Sequence, residues 1–367
     1  MMNLQFSTKM ANLRKGLQYT QDQVAQFVGV SKAAVSKWEK GLSYPDIALL
    51  PKLATFFSTT IDDLLGYEPQ MTLDQIRKTY ARLANDFNTK PYQEVEEEIN
   101  RLIEEYYSCN PFIFQMAVLL GNYSNISANP TETMHRVLKI CDRIKNSSED
   151  YQYVYKANML GAQIYLMLQQ PEEVLRIVGE KVEIYYGSEM LMASAYTLLS
   201  KPDEAMETLQ ISQYQHVIGL FSSATETLHL HLDKPALFEE TVRRLHTMIE
   251  LFNLSKLNVN CALVFYFKAA SGYMLLQNEE KALEMLHYYG RACAEIEFPI
   301  ALHGDDYFYR IERWITATLD LGNMAPRDDA SIKRDLIATI VEQPLFQSLH
   351  DRKEFKAIVM NLEHHLR

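Results

Sequence analysis

"GVSKAAVSKWEKG", residues 29–41, holds four charges and a tryptophan between two glycines. Ser31 has a hydroxyl that can accept a hydrogen bond from the orphan amides of a first helical turn. Gly29 and Gly41 can take the left-handed conformation that ends a helix. The stretch therefore predicts a helix over 31–40. Thr20 supplies the same start signal for a helix over 20–28, so the two helices are joined by two residues and a cap. On a 3.6-residue wheel Val35 and Trp38 share one side, with Ala34 at its edge, while Lys32, Ala33, Ser36, Lys37 and Lys40 fall on another. The apolar side needs a core. The other side offers ammonium groups, a hydroxyl and a methyl, which are the groups that reach phosphates, guanine edges and thymine methyls. A solvated lysine-rich face carries the same residues, so this helix alone leaves both readings open.

The surroundings extend the pattern. Apolar spacing predicts short helices over 5–16, 46–57 and 60–65 as well, with Pro45 blocking continuation of the third. The two central helices have the connection length of a helix-turn-helix. Residues 1–65 carry seven lysines and arginines against five acidic residues, a net of +2, whereas the rest holds 29 basic and 42 acidic residues. Only the first segment can approach phosphate without strong repulsion.

The stretch "LRKGLQYTQDQVAQFVGVSKAAVSKWEKGLSYPDIALLPKLATFFSTTIDDLLG", residues 13–66, resembles the five-helix domain of the phage-repressor and Cro-like (Xre) family. The match lies at Arg14, "TQDQVA", Gly29, "SKAAVSKWEKG", Pro45 and "IDDLLG". The resemblance implies a lambda-repressor-like DNA-binding domain over 1–66. In it Gln21 holds a phosphate, Lys32, Ala33, Ser36 and Lys37 face bases, and Lys40 reaches the backbone. Ser31, at the head of the same helix, is counted with this DNA-binding set. Ala33 stands where the family often has a polar residue. Arg14 and Glu39 would form the ion pair that ties the first helix to the third.

The whole chain has 367 residues, 47% of them hydrophobic, which is more than one ordinary core accommodates. Glycine is scarce, at 13 residues, and no strand alternation of useful length occurs. An all-α protein is expected. "GYEPQMT", residues 66–72, reads as a boundary, giving a linker over 67–72 and a second domain over 73–367. Two amphipathic helices follow, joined by a turn at Pro91.

Beyond them one spacing recurs three times: Ala162-x2-Tyr165-x8-Val174-x3-Val178, Ala193-x2-Tyr196-x8-Ala205-x3-Leu209 and Ala270-x2-Tyr273-x8-Ala282-x3-Leu286. Small residues let paired helices approach closely, and the tyrosine fills the space between. Acidic residues precede each second helix, where they suit the positive end of its dipole. The pattern resembles tetratricopeptide repeats and implies an α-solenoid, with a divergent pair near 214–260 and a closing helix pair in "PLFQSLHDRKEFKAIVMNLEHHL". By that resemblance the concave, ligand-binding face is lined by Lys156, Met159 and Gln163, then Met190, Ser194 and Thr197, then Phe267, Ser271 and Met274. The alternative is that these residues pack on neighbouring repeats.

No GxGxxG, GxxxxGK[ST], GxSxG or HExxH motif occurs, so neither a catalytic set nor a cofactor is expected. His229 and His231 lie two apart, which on a helix separates them and argues against shared metal ligation. Cys109, Cys141, Cys261 and Cys293 form no CxxC pair and read as small buried apolar residues. No apolar h-region opens the chain and no window has the ~18 apolar residues of a membrane span, so a cytoplasmic protein is expected. The domain order resembles the peptide-pheromone-responsive transcription factors of Gram-positive bacteria. That resemblance implies a homodimeric regulator binding double-stranded DNA, with repeats that sense a short peptide. Two other readings stay open: repeats that bind a protein partner or only dimerise, and a cytosolic adaptor without DNA binding.

Overall fold

A computed structural model describes residues 5–67 and 70–366. Residues 1–4 of the expected first domain, Glu68 and Pro69 of the expected linker, and Arg367 lie outside the described residues. The fold is all-α: among the described residues there is no strand, only an isolated bridge between Ala301 and Met324.

The head holds α1 (Phe6–Gly16), α2 (Gln21–Val28), α3 (Lys32–Glu39), α4 (Leu50–Phe57) and α5 (Ile61–Leu65). Thr20 caps α2 in a reciprocal box with Gln23, and the Ser31 hydroxyl accepts from the Ala34 amide to open α3. Gly29 ends α2 at φ 87°. One apolar cluster closes the head: Phe6 and Met10 of α1, Val24 and Val28 of α2, Val35 and Trp38 of α3, Leu53 and Phe57 of α4, and Leu64 of α5. The expected helix over 46–57 begins instead as a 3-10 turn at Ile47–Leu49, capped by the Asp46 carboxylate, and turns α-helical at Leu50. Pro51 is the reason: it lacks the amide that a continuous α-helix would need there and suits a first turn.

The helical body continues with α6 (Leu73–Thr89), α7 (Tyr92–Glu105), α8 (Asn110–Asn122), α9 (Pro130–Ser147), α10 (Tyr151–Met167), α11 (Pro171–Val178), α12 (Ser188–Leu198) and α13 (Pro202–Leu230). Then come α14 (Pro235–Leu251), α15 (Leu254–Leu257), α16 (Val259–Leu275), α17 (Glu279–Ala294), α18 (Glu312–Thr318), α19 (Asp329–Val341) and α20 (Lys353–His365). The three repeats read from the sequence are the hairpins α10–α11, α12–α13 and α16–α17. Their small residues Ala162, Ala193, Ala205, Ala270 and Ala282 are buried where the helices meet. The turns share one geometry. Gln169, Ser200 and Gln277 sit at φ 57–58°, and the next amide bonds back to the carbonyl of the repeat tyrosine, Tyr165, Tyr196 or Tyr273. The gap between the second and third repeats is filled differently from a short extra pair: α13 runs unbroken for 29 residues and packs on both α14 and α16.

Two apolar clusters result, one from α6–α10 and one from α13 to α20. A polar strap over 316–331 joins them. The Arg77 guanidinium caps the end of α18 by donating to the carbonyls of Thr316 (2.6 Å), Leu319 (2.8 Å) and Asp320 (3.0 Å). Tyr80 donates to the Pro326 carbonyl at 2.7 Å and Tyr123 to Asp328 at 2.6 Å.

Close packing in the larger cluster makes Gly272 obligatory. A Cβ there would lie 2.4 Å from the ring of the fully buried Phe238. Gly272→Ala is expected to destabilise the body by about 2 kcal/mol through overpacking, seen as a lower urea midpoint. An unchanged midpoint would show that α14 and α16 can separate freely.

Candidate nucleic-acid interface

The α3 helix is fixed by its apolar side and presents the other. Val35 and Trp38 are buried, whereas Ser31, Lys32, Ala33, Lys37 and Lys40 are exposed and Ser36 is half-buried. The five residues assigned to one polar face therefore share it, and Ser31 spends its hydroxyl on the helix cap. Lys32 bridges to Asp22 of α2 at 2.7 Å, but both side chains are more than 60% exposed. Such a pair is worth at most ~1 kcal/mol, so the ammonium group stays available. Lys37 and Lys40 make no ion pair among the described residues.

Behind this face lies a polar lock. Arg14 of α1 grips Glu39 of α3 with Nε to Oε1 at 2.5 Å and Nη2 to Oε2 at 3.0 Å, and its Nη1 donates to the Tyr19 carbonyl. The two side chains are only 14% and 8% exposed. Gln21 donates its amide to Glu39 Oε2 at 2.9 Å, which fixes the start of α2 against the end of α3. One proton of that amide is thus committed to Glu39.

Burial alone would raise the Glu39 carboxyl, yet the hydrogen bonds from Arg14 and Gln21 and the Arg14 charge outweigh it and hold Glu39 below the usual carboxylate range. A depressed folded value gives stability that is complete above the ordinary glutamate value and lost as pH falls through the folded one. The head is therefore expected to loosen below about pH 4, with Trp38 becoming exposed. In Glu39→Gln this acid limb should flatten; a titration of Trp38 fluorescence that is identical in both proteins would remove Glu39 from the account.

The helix-turn-helix family model matches residues 10–64, the span of these five helices. The activator BcrR of Enterococcus faecalis is 44% identical over 70 residues, 19% of this chain and 34% of that protein. The cryptic phage CTXphi transcriptional repressor RstR of Vibrio cholerae is 31% identical over 78 residues, 21% of this chain and 69% of the repressor. The chain belongs to this helix-turn-helix family. The family model covers only part of the head, and the chain spans about a third of the length of BcrR. Among solved structures, apo ComR from S. thermophilus aligns with 80% of this chain and 94% of its own at 14% identity and a TM-score of 0.28.

In the body of this helix-turn-helix protein, the nine residues expected on a concave face fall into three groups. Lys156, Met159 and Gln163 of α10 come together in a cavity of about 550 Å³, walled by Phe114 and Val118 of α8 and by Met167. Lys156 is held there by both oxygens of Asp320 at 2.8 Å, from the strap 164 residues away. No local pattern pointed to Asp320 as its partner. Met190, Ser194 and Thr197 lie on α12, where the two hydroxyls bond back to the carbonyls of Met190 and Ala193. Phe267, Ser271 and Met274 lie on α16. Phe267 packs edge-on against Phe346, Met274 packs on the larger apolar cluster, and the buried Ser271 hydroxyl has no hydrogen-bond partner among the described residues.

The remaining candidates stay quiet. His229 is exposed, His231 faces Thr241, and among the described residues no cluster of histidine, cysteine or acidic groups could hold a metal ion. Cys109, Cys141 and Cys293 are buried and Cys261 half-buried. Among the described residues no helix is long and apolar enough to cross a membrane.

Proposed function

We propose that the chain is a cytoplasmic transcriptional regulator. Residues 1–66 read double-stranded DNA through Lys32, Ala33, Ser36 and Lys37 on base edges and Gln21 and Lys40 on the backbone, with Ser31 in the same set at the head of α3. The domain from 73 onward, beyond the 67–72 linker, senses a short peptide. The observation that carries the DNA reading is the exposed lysine face of α3, held rigid from behind by Arg14, Glu39 and Gln21. A preset face spends little free energy on ordering itself when it binds. The net of +2 on the first 65 residues, against an acidic remainder, directs phosphate to this face.

A single head makes few phosphate contacts and binds weakly at physiological salt, so two copies acting on two half-sites fit the task. The α8–α10 cavity supports the peptide reading. Its apolar walls and the polar ends of Lys156, Gln163 and Asn122 suit a short peptide with apolar side chains. Selection from a random duplex library, with and without the peptide fraction of the host culture, tests both parts. Enrichment of a two-half-site sequence that shifts with the peptide fraction is expected. Enrichment indifferent to that fraction would remove peptide sensing, and no enrichment would remove DNA binding.

A further inference from the structure

A second cavity lies between α16, α19 and the strap. Val259 and Leu263 sit one turn apart on α16, Ile332 and Leu336 one turn apart on α19, and Ile296 and Ile300 come from the segment that follows α17. The bridge between Ala301 and Met324, with the Leu302 amide donating to the Asn323 carbonyl at 2.8 Å, forms a further wall. Apart from Leu263 these six side chains are only half-buried, and together they line a space of about 420 Å³. That is the size and the apolar character of a small-molecule site.

Its polar lining is unbalanced. Two cations, Lys256 and Arg327, stand against one carboxylate, Asp335, so one positive charge is left over. Arg327 is also poorly satisfied. Where an arginine of this chain meets a single carboxylate squarely, it grips with the Nε edge, as Arg14 does on Glu39 and Arg243 on Glu240. Arg327 gives Asp335 its Nη1 instead, and its Nε is buried with no hydrogen-bond partner among the described residues. A buried donor without an acceptor costs free energy, which a ligand supplying the acceptor returns. The side chain keeps 21% of its surface accessible, so a ligand in the cavity can reach it.

We propose that this cavity binds a small monocarboxylate with an apolar tail, the carboxylate on Arg327 and the tail between α16 and α19. One unbalanced charge suits one carboxylate, whereas a phosphate brings closer to two. Among the described residues no aromatic side chain lines the cavity, so a planar base has nothing to stack on. The site is separate from the peptide reading of the α8–α10 cavity, and neither depends on the other. Arg327 lines both spaces, so variants that fill each in turn tell them apart.

Calorimetric titration of the full chain with octanoate and with octanol, two probes that share a tail and differ in the head group, tests this. Octanoate should bind about tenfold more tightly than octanol, the margin of a charge-assisted hydrogen bond. Ile332→Trp, which fills the space beside α19, should abolish binding of both probes with an unchanged circular dichroism spectrum. Arg327→Leu should keep octanol binding and lose the preference for octanoate, a result that does not depend on how well the tryptophan variant folds. Met159→Trp, which fills the α8–α10 cavity instead, should leave both affinities as they are. No octanoate binding by wild type at millimolar concentration would overturn the site. So would a preference for octanoate that survives Arg327→Leu, or binding lost in Met159→Trp and kept in Ile332→Trp.

Discussion

Reversing Lys32 and Lys37 to glutamate together should abolish sequence-specific DNA binding, with affinity at about 0.15 M salt falling by at least ~100-fold. Both side chains are exposed, and neither belongs to the apolar cluster of the head, so the fold should survive. The loss has two parts: two cations stop displacing counterions from the duplex, and two carboxylates are set against phosphates. Alanine at both positions separates these parts, because it removes the first without adding the second. That variant should bind more weakly than wild type but better than the reversal, with a salt slope shallower by about two. Giving up the Lys32–Asp22 bridge adds little, since it is exposed. Gel-shift or anisotropy titrations on a selected duplex would measure this; unchanged affinity in the reversal variant would move the head to the adaptor reading.

Glu39→Ala should damage the same face from within. It strips Arg14 of its carboxylate and Gln21 of its acceptor at a site where the Arg14 side chain is only 14% exposed. Removing one partner of a largely buried pair leaves an uncompensated charge, at a cost of roughly 3 kcal/mol. For a unit the size of the head that lowers the melting midpoint by more than about 10 °C. The chain has two tryptophans, so in a Trp314→Phe background Trp38 reports on the head alone. Loss of DNA binding should track this melting, because α1 and α2 position α3 through Glu39. Asp22→Ala, which breaks the exposed pair instead, should change the midpoint by no more than about 5 °C. Equal effects of the two substitutions would mean that burial is not what gives the Arg14 pair its weight.

The head was legible because its signals are local. Thr20, Ser31, Gly29 and the Val35–Trp38 spacing each act within one helical turn of themselves, and the structure uses them as caps and core. The start of α4 was less legible, since Pro51 decides between two kinds of helical turn whose apolar spacing is alike. In the body, the alanine–tyrosine spacing marked three hairpins because close approach of two helices demands small residues at fixed positions. The length of α13 was missed where the expectation of a regular repeat ended a helix that no proline interrupts before Pro235. The strap was not legible at all. Arg77, Tyr80, Tyr123 and Lys156 find partners 164 to 246 residues away, and such polar contacts leave no period in the sequence. That is why nothing in the sequence pointed to Asp320 as the partner of Lys156.

The central claim is that α3 enters a major groove, and methylation interference on a selected duplex tests it most directly. Guanine N7 lies in the major groove and adenine N3 in the minor groove. Binding by the full chain should be blocked by N7 methylation at guanines in two half-sites about one or two helical turns apart, and one of those positions should lose its effect in Lys37→Ala. Interference confined to adenine N3, or a Lys37→Ala pattern identical to wild type, would contradict it.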